Sequence, residues 1–346
     1  MKIAILSDLH LGERRFRKMF NSQNKFEYLS YNLFSECINK ISKNDYNALF
    51  VAGDVFDNPN PDVISIINAQ KLNNLEIPIY MIEGNHDYSL KNNHFEIHPF
   101  NIISNDDNFF INANEDIAKY ILDDNVDLFA IPYKCLTPQT YNFINSTLNK
   151  NKINILMAHG YLDYNSENEF EDYALAKEIA ELFNIVILGH NHIPNLNELD
   201  NENNTKVLTP GSLMPSLKGS STPPSLWEIN IDDKKNIDIN NYPLDAPKVH
   251  NVISEDLNDT LKYISNYDKH NDIWNITYSG IASNIDSLYD EAIYKNAYQN
   301  SLNISLHIIP NNLINNEIDK FDGFWDAVNN EHPEWDSDFR KIINGE

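Results

Sequence analysis

The chain has 346 residues, of which 42% are hydrophobic, and it carries a formal net charge of −25. That length exceeds the size of one compact core, so we expect a large domain and a smaller one. The acidity argues against a protein that holds nucleic acid through an extensive basic surface, and two distant cysteines, Cys37 and Cys135, exclude a disulfide framework.

The N-terminus, Met1–Leu6, is apolar but short, and it runs directly into Ser7 and Asp8. This pattern indicates a buried strand and not a secretion signal. No apolar stretch approaches the roughly 20 residues that a membrane span needs, so we expect no membrane association. We therefore expect the protein in a reducing cytoplasm.

Short apolar runs recur along the chain, and a polar motif follows each of them at once. The runs are Lys2–Leu6, Ala48–Ala52, Pro78–Ile82, Ile153–Ala158 and Ile185–Leu188. Because they are apolar without alternation, they predict strands that are covered on both faces. Helical patterns lie between them, at about residues 26–43, 61–74, 137–149 and 172–183. This alternation predicts an α/β fold.

A second unit follows a stretch at 241–247 that looks like a linker. The elements predicted around it are strands Asp127–Ile131, Lys206–Leu208 and Leu226–Ile231, then a helix capped by Ser254, strand Asp272–Tyr278, helix Ile285–Ala297 and strand Ser301–Ile309. We therefore divide the chain into a catalytic domain, 1–243, a smaller α/β domain, 250–312, and an acidic, aromatic-rich tail, 313–346.

The five motifs that follow the apolar runs hold side chains that bind metals. They are Asp8-Leu9-His10, Gly53-Asp54, Gly84-Asn85-His86-Asp87, His159-Gly160 and Gly189-His190-Asn191-His192. Sites in α/β sheets form at the carboxyl ends of strands, which is where all five motifs stand. Carboxylate, amide and imidazole donors without a thiolate suit Mn²⁺, iron or Zn²⁺ better than Mg²⁺ or Ca²⁺. Each motif alone is a weak signal, but the ordered set predicts two adjacent metal ions.

Two neighbouring metal ions point to hydrolysis of a phosphate ester. Such a pair neutralises the phosphate oxygens and activates a water for in-line attack. Asp54 is the best bridge between the ions, because a carboxylate offers two oxygens. The leaving alkoxide needs a proton, which His86 could supply, with Asp87 orienting or charging its imidazole.

The ordered motifs resemble those of the calcineurin-like metallophosphoesterases. Within that superfamily, Gly53–Asp57, the Asp8–Gly12 opening and the loop Pro210-Gly211-Ser212 resemble SbcD-type DNA repair exonuclease subunits. That group includes recombination endonuclease subunits of large bacteriophages, which are closest in length, so the expected cytoplasm is a host's if the gene is phage-borne. The resemblance covers about residues 1–230 by motif and the rest by layout. It implies a β-sandwich flanked by helices and a C-terminal capping domain.

The resemblance also implies a ligand set for each metal ion. When the family's ligand pattern is transferred to the matching motifs, the first ion would be held by Asp8, His10, Asp54 and His192. The second ion would be held by Asp54, Asn85, His159 and His190. Mn²⁺ is the ion the resemblance favours, and His86 becomes the residue that acts on the transition state or the leaving group. The chain departs from the pattern at Asp57, where many relatives carry histidine.

The partners implied by the resemblance are DNA, a second copy of the chain and an SMC-like ABC ATPase of the SbcC type. The candidate docking element for the ATPase is the tail, 313–346, although its aromatic residues could instead cover the core of the second domain. A basic run, Arg14 to Lys18, is either a solvated loop or a contact to the phosphate backbone.

Two other function classes stay open. A small-molecule enzyme, such as a cyclic-nucleotide or nucleotide phosphodiesterase, needs no basic surface, and the net charge of −25 favours it. A non-catalytic metal-binding scaffold is the third class. Such scaffolds lose one or more ligands or the histidine at the position of His86, whereas this chain keeps the full set.

Overall fold

A computed structural model describes most of the chain. The described residues are 1–13, 28–88, 99–103, 109–112, 117–133, 138–163, 174–215, 222–267, 272–280, 289–299, 301 and 303–308. The basic run near Arg14 and the tail 313–346 lie outside them. The chain divides into two compact units, the first spanning Met1–Lys248 and the second beginning at Val249.

The first unit contains two six-stranded sheets with helices beside them. Its strands are β1 (Lys2–Leu6), β2 (Ala48–Val51), β3 (Ile79–Ile82), β4 (Phe109–Asn112), β5 (Ala118–Ile121), β6 (Val126–Ile131), β7 (Ile153–His159), β8 (Tyr161–Asp163), β9 (Ala174–Ala176), β10 (Ile185–Gly189), β11 (Asn195–Glu198), β12 (Lys206–Thr209), β13 (Ser225–Ile231) and β14 (Ile237–Pro243). Its helices are α1 (Leu29–Ser42), α2 (Val63–Ala69), α3 (Pro99–Ile103), α4 (Pro138–Thr147) and α5 (Lys177–Ala180), with a 3-10 turn at Gln70–Asn74.

The two sheets form a sandwich. One has the strand order β14-β13-β1-β2-β3-β4 and the other β11-β12-β10-β7-β6-β5, while β8 and β9 form a separate pair. Strands β1 to β4 run parallel, as do β6, β7, β10 and β12. One buried core holds residues of both sheets, including Phe50, Ile82, Met157 and Ile187. The predicted α/β fold with a β-sandwich flanked by helices is therefore confirmed.

Helices cover the outer face of each sheet. The core beside the first sheet includes Phe34 and Cys37 of α1, and the core beside the second includes Ile144 of α4 and Ile179 of α5. The amphipathic pattern of α1 explains its position, because its buried residues recur at three- and four-residue intervals. Together these layers give a helix–sheet–sheet–helix arrangement that buries the strands on both faces.

Two local predictions for the first unit were wrong. The helical pattern at 172–183 contains β9 and only the four-residue helix α5. The supposed linker at 241–247 begins inside β14, which pairs with β13 as far as Pro243 opposite Ser225. Strand β14 is largely exposed at the sheet edge, and its apolar alternation is limited to Ile237 and Ile239, which pack against the core between the sheets.

A buried ion-pair cluster joins β5, β6 and the residue that precedes β7 in the second sheet. The carboxylate of Asp127 on β6 is 2% exposed, and it lies 2.9 Å from both Lys119 Nζ and Lys152 Nζ. Burial alone would raise the pKa of Asp127, but the two ammonium groups outweigh it and hold the pKa below its usual range. The ionised form is therefore favoured in the folded protein.

We expect Asp127→Asn to lower the free energy of unfolding by about 2 kcal/mol at pH 7, because it leaves two lysines without their counter-charge. A lowered folded pKa stabilises the protein above the unfolded pKa of about 4, and that stabilisation is lost as the pH falls through the folded pKa. Urea unfolding at several pH values measures both effects. The exposed Asp238 on β14 provides a control, since Asp238→Asn should change stability little. Equal stabilities of the two variants would contradict the expectation.

The second unit is built around a three-stranded parallel sheet. Its elements are β15 (Val249–Ser254), α6 (Leu257–Ser265), β16 (Ile273–Tyr278), α7 (Glu291–Gln299) and β17 (Asn303–Ile308), with the strand order β15-β16-β17. Helices α6 and α7 cover one face, and their core includes Leu261, Trp274 and Ile304. The N-cap of α6 is Asp256 and not, as predicted, Ser254. The Asp256 side chain accepts a hydrogen bond from the backbone N–H of Asp259. Among the helices of both units that the structure describes, none has the length and apolarity of a membrane span.

Candidate active site

The strand ends of the first unit bring the five motifs together. Asp8, Asp54 and Asn85 follow β1, β2 and β3 of one sheet, and His159 and His190 stand at the ends of β7 and β10 in the other. Strands β7 and β10 are paired so that His159 lies opposite Gly189. The site therefore spans the carboxyl edges of both sheets, which is the usual place for a site in such folds.

Four of these residues adopt backbone conformations that are unusual for any residue but glycine. The φ angles are +49° at Asp8, +42° at His10, +51° at Asp54 and +90° at His190. Left-handed backbone at a non-glycine residue costs free energy and concentrates where function requires a particular side-chain direction. The positive φ angles turn Asp8 and His10 away from the direction of β1, so that the side chains of both lie in the same donor cluster.

Glycine is required beside two of the ligands. Gly53 has a φ of +85°, and a Cβ atom there would collide with the His159 imidazole. A Cβ atom at Gly84 would collide with the carboxylate of Asp54. Each of these two positions needs glycine because a side chain of the site, His159 or Asp54, packs directly against it and leaves no room for a Cβ atom.

A first group of donor atoms surrounds Asp8. His192 Nε2 lies 3.7 Å from Asp8 Oδ1 and 3.0 Å from His10 Nε2, which is in turn 3.7 Å from Asp54 Oδ2. Asp8, His10 and Asp54 are almost fully buried, and His192 is partly exposed. Donor atoms of Asp8, His10 and His192 all lie within 4.8 Å of one another, as a single metal ion requires.

A second group of donor atoms shares Asp54. His159 Nε2 lies 3.4 Å from Asp54 Oδ2 and 2.9 Å from Asn85 Oδ1, and His190 Nδ1 lies 2.8 Å from the same Asn85 oxygen. Donor atoms of Asp54, His159 and His190 also fall within 4.8 Å. Because Oδ2 of Asp54 approaches a histidine of each group, its carboxylate is placed between two candidate metal positions.

The residues present fit two divalent ions. The donors are carboxylate, amide and imidazole groups, held in a buried pocket by strand ends, and this mixture without thiolate suits Mn²⁺, iron or Zn²⁺. Burial raises the pKa of Asp8, and the charge of Asp54 raises it further. Two carboxylates buried this close are costly without cations, which two bound metal ions would supply.

Hydrogen bonds outside the donor groups fix the two histidines of the second group. His159 Nδ1 lies 2.8 Å from the Ala52 carbonyl oxygen, which can only accept, so Nε2 is the nitrogen that faces the site. Burial alone would lower the pKa of His159, but the Asp54 carboxylate reverses this and raises the pKa to about 9. Burial and the charge of His159 lower the pKa of His190 to about 4, so His190 is neutral and ready to bind metal.

The structure corrects the predicted role of Asp87. Its carboxylate does not orient the His86 imidazole; it accepts the backbone N–H groups of Val55, Phe56 and Gly84 at 2.9–3.1 Å. Burial raises the pKa of Asp87 to about 7, the charge of Asp54 raises it as well, and the three N–H groups act in the opposite direction. Asp87 therefore holds two motif loops together, and it acts on the site through the backbone.

His86 is oriented by a different residue. Its Nδ1 lies 2.8 Å from the carbonyl oxygen of Asp57, and its backbone N–H donates to Asp54 Oδ1 at 2.8 Å. Its ring is edge-on to that of His10, with centroids 4.7 Å apart, and it shares a donor cluster with His10 and Asp54. Because Nδ1 is held by a carbonyl, Nε2 is the nitrogen available for chemistry.

Asp57 is the functional residue whose role the sequence did not reveal. Its Oδ1 lies 3.3 Å from His10 Nδ1, so its carboxylate supports a metal-binding histidine while its carbonyl holds His86. The motif marked the position only as a departure from the family pattern. The loop of Ser212 has a similar supporting role, since its hydroxyl donates to the Asp8 carbonyl at 2.9 Å.

We expect Asp57→Asn to weaken metal binding about 10- to 100-fold, since supporting carboxylates of this kind orient the imidazole and raise its basicity. Calorimetric titration of the metal-free protein with Mn²⁺ measures the change. The exposed Asp45 gives a matched control, because Asp45→Asn removes the same charge on the surface. Equal Mn²⁺ affinities of Asp57→Asn and wild type would show that the 3.3 Å contact to His10 carries no weight.

The chain is similar to several known proteins. An alignment 249 residues long, which covers 68% of this chain, is 27% identical to the DNA double-strand break repair protein Mre11 of Methanococcus maripaludis. It spans 61% of that protein, less than two thirds of its length. Among solved structures, a dimetal phosphatase from Danio rerio is 10% identical, with a TM-score of 0.46 over 69% of this chain and 95% of its own. Purple acid phosphatase from yellow lupin is 16% identical, with a TM-score of 0.45 over 70% of this chain and 51% of its own.

A family model gives the assignment. Residues 1–194, more than half of the 346, match the model for calcineurin-like phosphoesterases. The matched stretch contains all seven predicted metal ligands and His86. This chain belongs to the calcineurin-like phosphoesterase family.

Proposed function

We propose that the protein is a Mn²⁺-dependent phosphodiesterase that cleaves DNA as an exonuclease and endonuclease subunit. The observation that carries the proposal is the convergence of Asp8, His10, Asp54, Asn85, His159, His190 and His192 into two donor groups that share one carboxylate. The similarity to a protein named for double-strand break repair supports DNA as the substrate. Bound metal ions would supply charge neutralisation and an activated water.

The residues of this chain then have distinct roles. The two donor groups would hold the cations and share Asp54. The Ala52 carbonyl fixes the tautomer of His159, and the Asp57 carboxylate lies 3.3 Å from His10 Nδ1. His86, held through Nδ1, presents Nε2 as the proton donor to the departing alkoxide. The buried strand ends exclude water around the carboxylates and keep the site rigid.

We further propose that the protein works with an SMC-like ABC ATPase. Support comes from the resemblance of Gly53–Asp57 and Pro210–Ser212 to SbcD-type subunits. The net charge of −25 is consistent with a partner that supplies much of the affinity for DNA. A gene for a long coiled-coil ATPase beside this one, and DNA cleavage stimulated by its product, would support the assembly.

We also propose a homodimer formed through helices α2 and α3. Apolar side chains on these neighbouring helices face solvent in the single chain: Val63 is 70% exposed, Ile64 49%, Ile67 57% and Ile102 42%. In a symmetric dimer the same patch would be buried against itself. Apolar side chains grouped in this way favour a protein interface over free solvent.

We expect Ile64→Lys combined with Ile67→Lys to convert the dimer into a monomer, because two cations would face their symmetry mates. Sedimentation velocity or multi-angle light scattering gives the mass directly. Ile253, which is 79% exposed on β15 of the second unit, offers a control position where lysine should leave the mass unchanged. A wild-type protein that is monomeric at micromolar concentration would contradict the proposal.

The direct test of the proposed activity is a nuclease assay on end-labelled linear duplex DNA with Mn²⁺, with and without a chelator. Metal-dependent shortening from the ends supports the proposal. A small-molecule nucleotide phosphodiesterase is the alternative that the acidity favours. Hydrolysis of a cyclic nucleotide together with intact DNA would establish that alternative instead.

A further inference from the structure

A row of aromatic rings lines the side of the site formed by His159 and His190. The Tyr161 ring is edge-on to His190 with centroids 4.5 Å apart, and His190 and His159 are 5.3 Å apart. Tyr133 continues the row at 6.4 Å from His159, and Tyr88 lies 5.8 Å from Tyr133. Tyr161, Tyr133 and Tyr88 thus form an aromatic wall beside one candidate metal position.

Within this wall, Tyr161 is the residue that a ligand can reach. It is 45% exposed, although its ring touches the ring of a candidate metal ligand, whereas Tyr88 and Tyr133 are half-buried. It stands at the start of β8, two residues after His159 at the end of β7, so a strand and not a free loop positions it. A large exposed apolar surface directly beside a site for phosphate is suited to the part of the substrate next to that phosphate.

The overall charge makes such a contact valuable. Proteins usually hold nucleic acid through many lysine and arginine contacts to phosphates, which a chain with net charge −25 cannot provide over a broad surface. Stacking of a base on an aromatic ring needs no charge, and each stacked base is worth a factor of ten or more in affinity. An aromatic surface at the site would therefore offset the missing electrostatic attraction.

We propose that Tyr161 is a specificity-determining residue that stacks on the nucleobase of the nucleotide whose phosphate occupies the metal site. The proposal rests on the proposed phosphodiesterase function and adds the residue that contacts the base of the bound nucleotide. The Tyr161 ring lies close enough to His190 for one nucleotide to contact both the ring and the metal position.

The test compares two phosphates that differ only in the base. Calorimetric titration with Mn²⁺ present gives dissociation constants for thymidine 5′-monophosphate and for 1,2-dideoxyribose 5-phosphate, and their ratio measures the contribution of the base. In the wild type we expect the nucleotide to bind about tenfold more tightly. The ratio should fall close to one in Tyr161→Ala and persist in Tyr161→Phe, which keeps the ring. Tyr141 on α4 has a similar exposed fraction, 41%, and Tyr141→Ala should keep the wild-type ratio.

The outcomes separate this inference from the function on which it rests. Equal affinities for the two phosphates in the wild type, or a ratio that survives in Tyr161→Ala, would overturn the role of Tyr161 and leave phosphodiesterase activity intact. Failure of the wild type to bind either phosphate with Mn²⁺ would overturn the phosphate site, and the proposed function with it. DNA cleavage by the wild type, measured in parallel, reports on that function independently.

Discussion

Replacing His86 with alanine should lower kcat for DNA cleavage by about 10²- to 10⁴-fold, the contribution expected of a positioned general acid. The departing group in DNA is an alkoxide, which is a poor leaving group unless it is protonated as the bond to phosphorus breaks. His86 has the geometry for this step, because the Asp57 carbonyl holds Nδ1 at 2.8 Å and leaves Nε2 for the substrate. Steady-state cleavage of a defined oligonucleotide duplex gives kcat directly.

The leaving group offers a sharper version of the same experiment. Bis-p-nitrophenyl phosphate releases p-nitrophenolate, which leaves without a proton, so His86→Ala should lose much less activity on this ester than on DNA. His86→Gln can still donate to the Asp57 carbonyl but cannot transfer a proton, and it should behave like alanine. An equal loss on both substrates would instead indicate that His86 stabilises charge on the phosphate.

The number of metal ions bound per chain distinguishes a proton donor at His86 from a metal ligand. His86 also shares a donor cluster with His10 and Asp54, so it could act as a ligand of the first ion. If it is the proton donor, His86→Ala keeps two Mn²⁺ ions per chain, as measured by atomic emission. His307, an exposed histidine on β17, serves as the matched control for loss of an imidazole elsewhere. A drop from two ions to one in His86→Ala would reassign the residue.

The fold of the first unit could be predicted from the sequence because its central strands are buried on both faces. Continuous apolar runs such as those of β1, β7 and β10 cannot be mistaken for exposed strands, and each ends where its motif begins. Strand β14 was missed for the opposite reason, since this exposed edge strand has only two alternating apolar residues, Ile237 and Ile239, and is otherwise polar and held by backbone pairing with β13. The short α5 fell in a segment whose apolar spacing also fits a buried strand.

The residue types of the site were also predictable, but their supporting contacts were not. The metal ligands stand in motifs with a fixed order, whereas the partners of those ligands come from distant positions through the fold. Asp87 was expected to act on the adjacent His86, yet its carboxylate reaches backward to the loop of Val55 and Phe56. Asp57 contacts His10 across 47 positions of sequence, because β1 and β2 are parallel neighbours. Tyr161 belongs to no motif, and only the fold places its ring against His190.

Asp54→Asn should remove Mn²⁺ binding at one of the two positions and lower phosphodiesterase activity by more than about 100-fold, since even supporting residues around a metal reach that loss. The amide keeps the shape of the side chain but has one acceptor oxygen and no charge, so it cannot serve both donor groups. Asp54 Oδ2 lies 3.7 Å from His10 Nε2 and 3.4 Å from His159 Nε2, which is why one residue affects both. Two ions per chain in Asp54→Asn would contradict the bridging role.

The same carboxylate should govern how metal binding depends on pH. Metal binds the neutral imidazole, and Asp54 raises the pKa of His159 to about 9, so at neutral pH the ion must displace a proton from His159. Wild-type affinity for Mn²⁺ should therefore rise with pH, by up to about tenfold per unit for one proton, and level off above pH 9. Asp54→Asn removes the charge that contributes most to raising the pKa of His159, so burial should shift that pKa downward. If the position that keeps its ion is the one that His159 serves, its affinity for Mn²⁺ should then level off at a lower pH, which titrations between pH 6 and 9.5 measure. A wild-type affinity that does not change over this range would show that His159 is already neutral, and that Asp54 does not hold its proton.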